Sequence, residues 1–100
     1  MSELYLVRHG QASFGAKNYD KLSELGIQQA KWLGEYFQQR EIEFSSLWRG
    51  DLIRHQETAE GICTALPLQP ERIVQANLRH LGTFIISDPI YSLWENIHFL

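Results

Sequence analysis

The sequence predicts an α/β fold: a three-layer open sheet, mostly parallel, with flanking helices. Two observations lead to this class. Short apolar runs alternate with longer segments whose apolar residues recur at helical spacing, in the order strand, helix, strand, helix, strand. The first run is continuously apolar, which is typical of a strand buried on both faces of a parallel sheet.

The first strand is predicted at residues 4–7, and a polar loop that contains glycine follows it. Ser23 is a candidate N-cap for the first helix, with Leu22 and Ile27 placed as a hydrophobic staple across it. Apolar residues at helical spacing predict that this helix covers residues 23–40. Two glycines within it each cost about 1 kcal/mol relative to alanine, so packing must compensate.

The second half of the chain continues the alternation. A second strand is predicted at residues 42–48, and Asp51 is a candidate cap for the helix that follows it. Pro67 ends that helix, because proline cannot continue it. Residues 73–74 and 83–86 predict two further strands.

Composition restricts the classes of function. The 100 residues suit one domain, residues 1–100, and 12 acidic against 9 basic residues argue against a nucleic-acid partner. Cys63 is the single cysteine, so an internal disulfide is impossible and a reducing compartment is favoured. The first apolar run is too short for a signal peptide or a membrane span, which predicts a cytoplasmic protein without a membrane partner.

Arg8, His9 and Gly10 follow the first strand directly. In open α/β sheets, ligands bind outside the carboxyl ends of the strands. Neutral histidine can attack phosphorus, arginine grips phosphate oxygens in pairs, and glycine lets the backbone approach an anion. Taken alone, the tripeptide also fits a histidine that ends a strand and bonds to a neighbour.

Arg54 lies in the first turn of the second predicted helix, just after the second strand. A helix N-terminus favours anions, so two arginines at two strand ends could hold one phosphate. Alternatively, Arg54 is a solvated helix charge paired with Glu57 or Thr58. His55 shares the apolar stripe of this helix and is expected to be a packed histidine rather than a ligand.

Three ordered blocks resemble the histidine phosphatase (phosphoglycerate mutase-like) superfamily. Residues 6–11 (LVRHGQ) are similar to its signature, and residues 22–30 (LSELGIQQA) are similar to the segment that opens its first helix. Residues 52–60 (LIRHQETAE) resemble its second-arginine helix. The resemblance covers residues 4–77, and residues 78–100 form a diverged, apolar tail.

The resemblance implies phosphomonoester hydrolysis or phosphoryl transfer through a phosphohistidine on His9. It implies no metal and no cofactor, because arginines supply the positive charge. The substrate would be a small phosphorylated metabolite or a phosphoprotein. The residues expected to bind the phosphoryl group lie in the loop after the first strand and in the second helix: Arg8, Gly10, Gln11, Ser13 and Arg54.

Two parts of the family pattern are missing. The family places a carboxylate general acid beyond the second arginine, but residues 77–82 (NLRHLG) contain no carboxylate, which leaves His80 as a weak candidate. The family also has a later histidine followed by glycine. Here His98 is the only late histidine, and Phe99 follows it.

Domains of this family are about twice as long as this chain, so the chain is expected to be an amino-terminal portion. An exposed sheet edge and the apolar tail then predict a homo-oligomer. Two functions remain open. One is phosphoryl transfer through His9, impaired by the truncation, and the other is a non-catalytic remnant that binds phosphorylated ligands or a protein partner.

Overall fold

The computed structural model describes residues 3–10, 21–78, 82–87 and 97–100. These described residues form two helices, five strands and one short 3₁₀ turn. In chain order they are β1 (Glu3–Val7), α1 (Glu24–Gln39), β2 (Ser46–Arg49), α2 (Ile53–Thr64), β3 (Glu71–Val74), the 3₁₀ turn (Ala76–Leu78), β4 (Thr83–Ser87) and β5 (Ile97–Phe99).

The five strands form one open sheet in the order β3-β2-β4-β1-β5. β4 is antiparallel to both of its neighbours, whereas β1 pairs in parallel with β5 and β2 pairs in parallel with β3. Four of the five described strands therefore run in one direction. The fold is the predicted α/β open sheet, mostly parallel, with α1 and α2 packed together on one face.

Local sequence determines both ends of α1. The Ser23 hydroxyl accepts a hydrogen bond from the Gly26 N–H at 3.1 Å, which confirms the predicted cap. At the other end Glu41 has a positive φ of 57°, and the Ile42 N–H donates to the Phe37 carbonyl at 3.1 Å. This is a Schellman termination with glutamate where glycine is usual.

The two helices approach closely because their contact residues are small. A Cβ added to Gly34 of α1 would lie 3.0 Å from the Cα of Ile62 in α2. A Cβ added to Gly61 of α2 would lie 2.6 Å from the Cβ of Ala30. The close packing of α1 against α2 offsets the low helix propensity of these glycines.

The core lies between the helices and the sheet. Three of its rings meet edge to face: the centroids of Tyr5 and Phe37 are 5.1 Å apart, and those of Phe37 and Phe44 are 4.8 Å apart. The other buried members come from both helices, three strands and the segment after α2: Val7, Ala30, Leu47, Ala59, Ile62, Cys63, Leu66 and Ile85.

Two element boundaries differ from the prediction. β2 begins at Ser46 rather than at residue 42, because Ile42 takes part in the termination of α1. The N-cap of α2 is Leu52 rather than Asp51, and no side-chain hydrogen bond caps it. In the part of the chain that the structure describes, neither helix is long and apolar enough to cross a membrane.

Candidate functional site

The ends of β1 and β2 meet at one edge of the sheet. Val7, the last residue of β1, and Arg49, the last residue of β2, both pair with Thr83 of β4. Neighbouring strands lie 4.7–4.9 Å apart, so the two ends are separated by about 10 Å. The segments that follow them, residues 8–10 and the start of α2, therefore lie at the same edge.

Gly82 stands between these two strand ends, at the beginning of β4. Its φ is +92°, and a Cβ at this position would lie 3.2 Å from the carbonyl oxygen of Val7. The Gly82 carbonyl accepts a hydrogen bond from the Gly50 N–H at 3.3 Å. Only glycine adopts this conformation without strain. Because Gly82 lies beside the end of β1 and bonds to the residue after β2, it helps to hold the two strand ends together.

His9 is half-buried just beyond β1, and its Nδ1 lies 2.8 Å from the carbonyl oxygen of Gly10. A carbonyl can only accept a hydrogen bond, so Nδ1 carries the hydrogen in this contact. In the neutral ring, Nε2 then has the lone pair. The geometry thus provides an imidazole whose second nitrogen can act as a nucleophile or accept a proton.

Gly10 connects His9 to α1. A Cβ added at position 10 would lie 3.0 Å from both the Cα and the carbonyl oxygen of Gly26, and it would also meet the side chain of Gln29. The backbone of Gly10 therefore rests on the first turn of α1. This contact fixes the carbonyl to which His9 donates.

A cleft of about 500 Å³ opens beside His9. Its lining comes from β1 and the loop after it, α1, α2 and the last residue: Val7, Arg8, His9, Gly10, Gln29, Ala30, Trp32, Leu33, Thr58 and Leu100. Arg8 is exposed, and Trp32 is 52% exposed. None of the described residues that line this cleft is an aspartate or a glutamate, so its charged side chain is the cationic Arg8 and the rest of the lining is largely apolar.

Arg54 is the second residue of α2 and is half-buried, with its Nε atom inside the protein. Its carbonyl accepts a hydrogen bond from the Thr58 hydroxyl at 2.7 Å. Thr58 lines the cleft, whereas Arg54 does not. The structure thus brings Arg8, His9 and Gly10 together in the cleft and places Arg54 one helical turn from its wall.

Glu57 has a contact that its sequence position did not predict. Its Oε1 accepts a hydrogen bond from the backbone N–H of Leu22 at 2.9 Å. The sequence suggested Glu57 as a partner for Arg54 and as an alternative proton donor. The observed contact instead joins α2 to the residue that precedes the cap of α1.

Three predicted site residues, Gln11, Ser13 and His80, lie outside the described residues. His55 is 2% exposed within α2, as expected of a packed histidine. His98 pairs with Tyr5 in the sheet. His9 lies four residues after Tyr5, which corresponds to about 13 Å along the strand direction. The pairing of His98 with Tyr5 therefore gives no support to His98 as a second active-site histidine.

Other reactive groups lie away from the cleft. Cys63 is buried in the core, and burial raises the pKa of its thiol although the Arg72 guanidinium opposes the shift. The thiolate that would compete with His9 as a nucleophile is therefore disfavoured. Over the described ranges of the chain, no three His, Cys, Asp or Glu residues are grouped so that they could hold a metal ion.

Comparison with known proteins adds to this geometry. The sequence model of the family described as histidine phosphatase superfamily (branch 1) matches residues 4–83. No curated protein sequence matches the chain. Among solved structures, the protein histidine phosphatase SixA complexed with tungstate is similar in fold, with a TM-score of 0.67 and 19% sequence identity. The similarity covers 82% of this chain and 53% of that one, so this chain spans about half of its length.

Proposed function

Because the chain belongs to the histidine phosphatase superfamily, we propose that it removes or transfers the phosphoryl group of phosphomonoesters through a phosphohistidine on His9. The observation that carries this proposal is the 2.8 Å contact between His9 Nδ1 and the Gly10 carbonyl. It leaves the Nε2 lone pair of the neutral ring available for attack, at the edge of the sheet where a ligand is expected.

The reaction has two steps. In the first, the Nε2 lone pair forms a bond to phosphorus while the bond from phosphorus to the leaving oxygen breaks, and that oxygen takes up a proton. In the second, water attacks phosphorus and releases a proton, and the electrons of the N–P bond return to the ring. Phosphate leaves. A second hydroxyl group that replaces water would give a transferase instead of a phosphatase.

Arg8 and Arg54 are proposed to hold the phosphoryl oxygens. Arg8 is exposed in the cleft beside His9, and Arg54 lies in the first turn of α2, where the helix dipole also favours an anion. Gln11 and Ser13 are proposed to donate further hydrogen bonds from the loop after Gly10. With this cationic charge and a histidine nucleophile, we propose a reaction that uses no metal and no cofactor.

The proposed substrates are phosphorylated metabolites or phosphoproteins. The SixA relative is named a protein histidine phosphatase, which adds a phosphorylated protein side chain to the substrates to test. The cleft has a cationic end and walls formed in part by Trp32 and Leu33. This combination suits a phosphoryl group carried on an apolar or aromatic leaving group.

A second function, phosphate binding without rapid turnover, is favoured by one observation. The described residues that line the cleft include no aspartate or glutamate side chain that could protonate a leaving group. Hydrolysis of p-nitrophenyl phosphate by the purified chain distinguishes the two functions. We expect phosphate release that the change His9→Ala abolishes. Binding of tungstate or phosphate without any phosphate release would favour the binding function instead.

A further inference from the structure

We propose that Glu57 is a positioning residue for His9, acting through Leu22 and the first turn of α1. The inference rests on the proposed function, in which His9 is the nucleophile. Glu57 itself does not line the cleft. It is connected to the His9 ring by a series of contacts that cross from α2 to α1 and from α1 to the loop after β1.

The first contact is the hydrogen bond from the Leu22 N–H to Glu57 Oε1, at 2.9 Å between residues 35 positions apart. Leu22 is buried and precedes the N-cap of α1, so its N–H is outside the helical hydrogen-bond ladder. A carboxylate acceptor makes this bond stronger than one between neutral groups. Glu57 therefore holds the start of α1 against α2.

The second link is the capped turn itself. The Ser23 hydroxyl accepts from the Gly26 N–H at 3.1 Å, and the Ser23 carbonyl accepts from the Ile27 N–H at 3.0 Å. These two bonds close residues 23–27 into one turn, and Leu22 is covalently attached to its first residue. We therefore expect a displacement of Leu22 to move Gly26 as well.

The third link runs from Gly26 to His9. The backbone of Gly10 lies against that of Gly26, with too little space between them for a Cβ. The Gly10 carbonyl in turn receives the hydrogen bond from His9 Nδ1 at 2.8 Å. Movement of Gly26 would thus reorient the Gly10 carbonyl and weaken its hydrogen bond with His9 Nδ1. The His9 ring would then no longer be held in the Nδ1–H tautomer.

The variants Glu57→Ala and Glu57→Gln separate positioning from proton donation. Glutamine keeps an oxygen that can accept from Leu22 but cannot supply a proton, whereas alanine has neither property. Glu60→Ala is the matched control. It lies on the same helix, is exposed, and accepts from the Gln56 side chain at 3.1 Å.

Two measurements are made on each variant: the rate at which acetyl phosphate phosphorylates His9, and the tautomer of the His9 ring from its ¹⁵N NMR shifts. We expect Glu57→Ala to lower the rate by about tenfold or more, as misplaced reacting groups do, and to shift the ring towards the Nε2–H tautomer. Glu57→Gln should stay within about threefold of the parent, and Glu60→Ala should match it.

Equal losses in Glu57→Gln and Glu57→Ala would overturn the proposal, because they would show that the charge or the proton matters. An unchanged tautomer in Glu57→Ala would also overturn it. If Glu57→Ala does not fold, Glu57→Asp keeps the charge but withdraws the acceptor from Leu22, and it should give the same tautomer shift. Failure of the parent to be phosphorylated would contradict the proposed function, while the tautomer would still test the positioning role.

Discussion

The backbones of Gly10 and Gly26 lie so close together that a Cβ on Gly10 would have little room, although 16 positions separate the two residues in the sequence. A Cβ at Gly10 would lie 3.0 Å from the Gly26 Cα and from its carbonyl oxygen. The loop that carries His9 therefore rests on the first turn of α1. The position of the proposed nucleophile depends on helix packing as well as on the strand that precedes it.

We expect Gly10→Ala to lower the free energy of unfolding by about 1–3 kcal/mol, because the added methyl group would lie only 3.0 Å from the Gly26 backbone, which yields less readily than a side chain. Urea unfolding followed by circular dichroism measures this change. The Gln29 side chain also approaches position 10, but it can rotate. Gln29→Ala should therefore fail to rescue Gly10→Ala. Full rescue would show that the side chain, and not the Gly26 backbone, limits the space.

The two arginines should act together on one anion. We expect Arg8→Ala and Arg54→Ala each to weaken phosphate or tungstate binding by about 1.5–3 kcal/mol in isothermal titration calorimetry, since each removes a charge-assisted contact. Their effects should not be additive, because both contact the same ligand. Arg72→Ala is the control, since Arg72 is exposed in β3. If Arg54→Ala binds as tightly as the parent, Arg54 does not hold the anion.

Turnover should depend on the leaving group. A placed general acid contributes about 10²–10⁴-fold, and no aspartate or glutamate side chain lines the described part of the cleft. We therefore expect hydrolysis of p-nitrophenyl phosphate, whose leaving group needs little protonation, and almost none of sugar phosphates or phosphoglycerate. His80→Glu should raise the rate on alkyl phosphates if that loop borders the site. Rapid alkyl phosphate hydrolysis by the parent would mean that another group serves as the acid.

Tyr5 should make the protein sensitive to alkaline pH. Burial and the hydrogen bond from its hydroxyl to Glu3 Oε2, at 2.7 Å, raise the pKa of Tyr5 well above the ordinary value of 10.0. The unfolded chain loses this proton near pH 10 while the folded protein keeps it. The stabilisation is therefore complete below about pH 10 and is lost as the pH rises above it.

The change Tyr5→Phe removes this ionisation. We expect the free energy of unfolding to fall by about 1 kcal/mol at pH 7, through loss of the hydrogen bond, and to depend less steeply on pH between about pH 9 and pH 11. Tyr36→Phe, at an exposed position, is the control. An unchanged slope in Tyr5→Phe would show that Tyr5 does not carry the alkaline sensitivity.

Features that depend on neighbouring residues were predictable from the sequence. The Ser23 cap and the extent of α1 are confirmed because capping involves only the first turn. The start of β2 was predicted too early, since Ile42 is apolar and resembles a strand residue but completes the end of α1. Apolar character alone does not distinguish these two uses.

Contacts between distant segments were not predictable in this way. The antiparallel direction of β4 is decided by its pairing with strands about 40 and 80 residues away, and no local pattern encodes that pairing. The bond between Glu57 and Leu22 spans 35 positions. Trp32 and Thr58 were not predicted as cleft residues. The sequence did place Trp32, a large apolar residue, on the polar side of α1, and such an exposed ring can indicate a binding surface.

The role of His9 as the phosphoryl acceptor is tested by incubating the purified chain with a reactive phosphodonor and measuring protein-bound phosphate after acid and after base. We expect a phosphate that is labile in acid and stable in base, present on the parent and absent from folded His9→Ala. Equal labelling of the parent and of His9→Ala would show that His9 is not the phosphoryl acceptor.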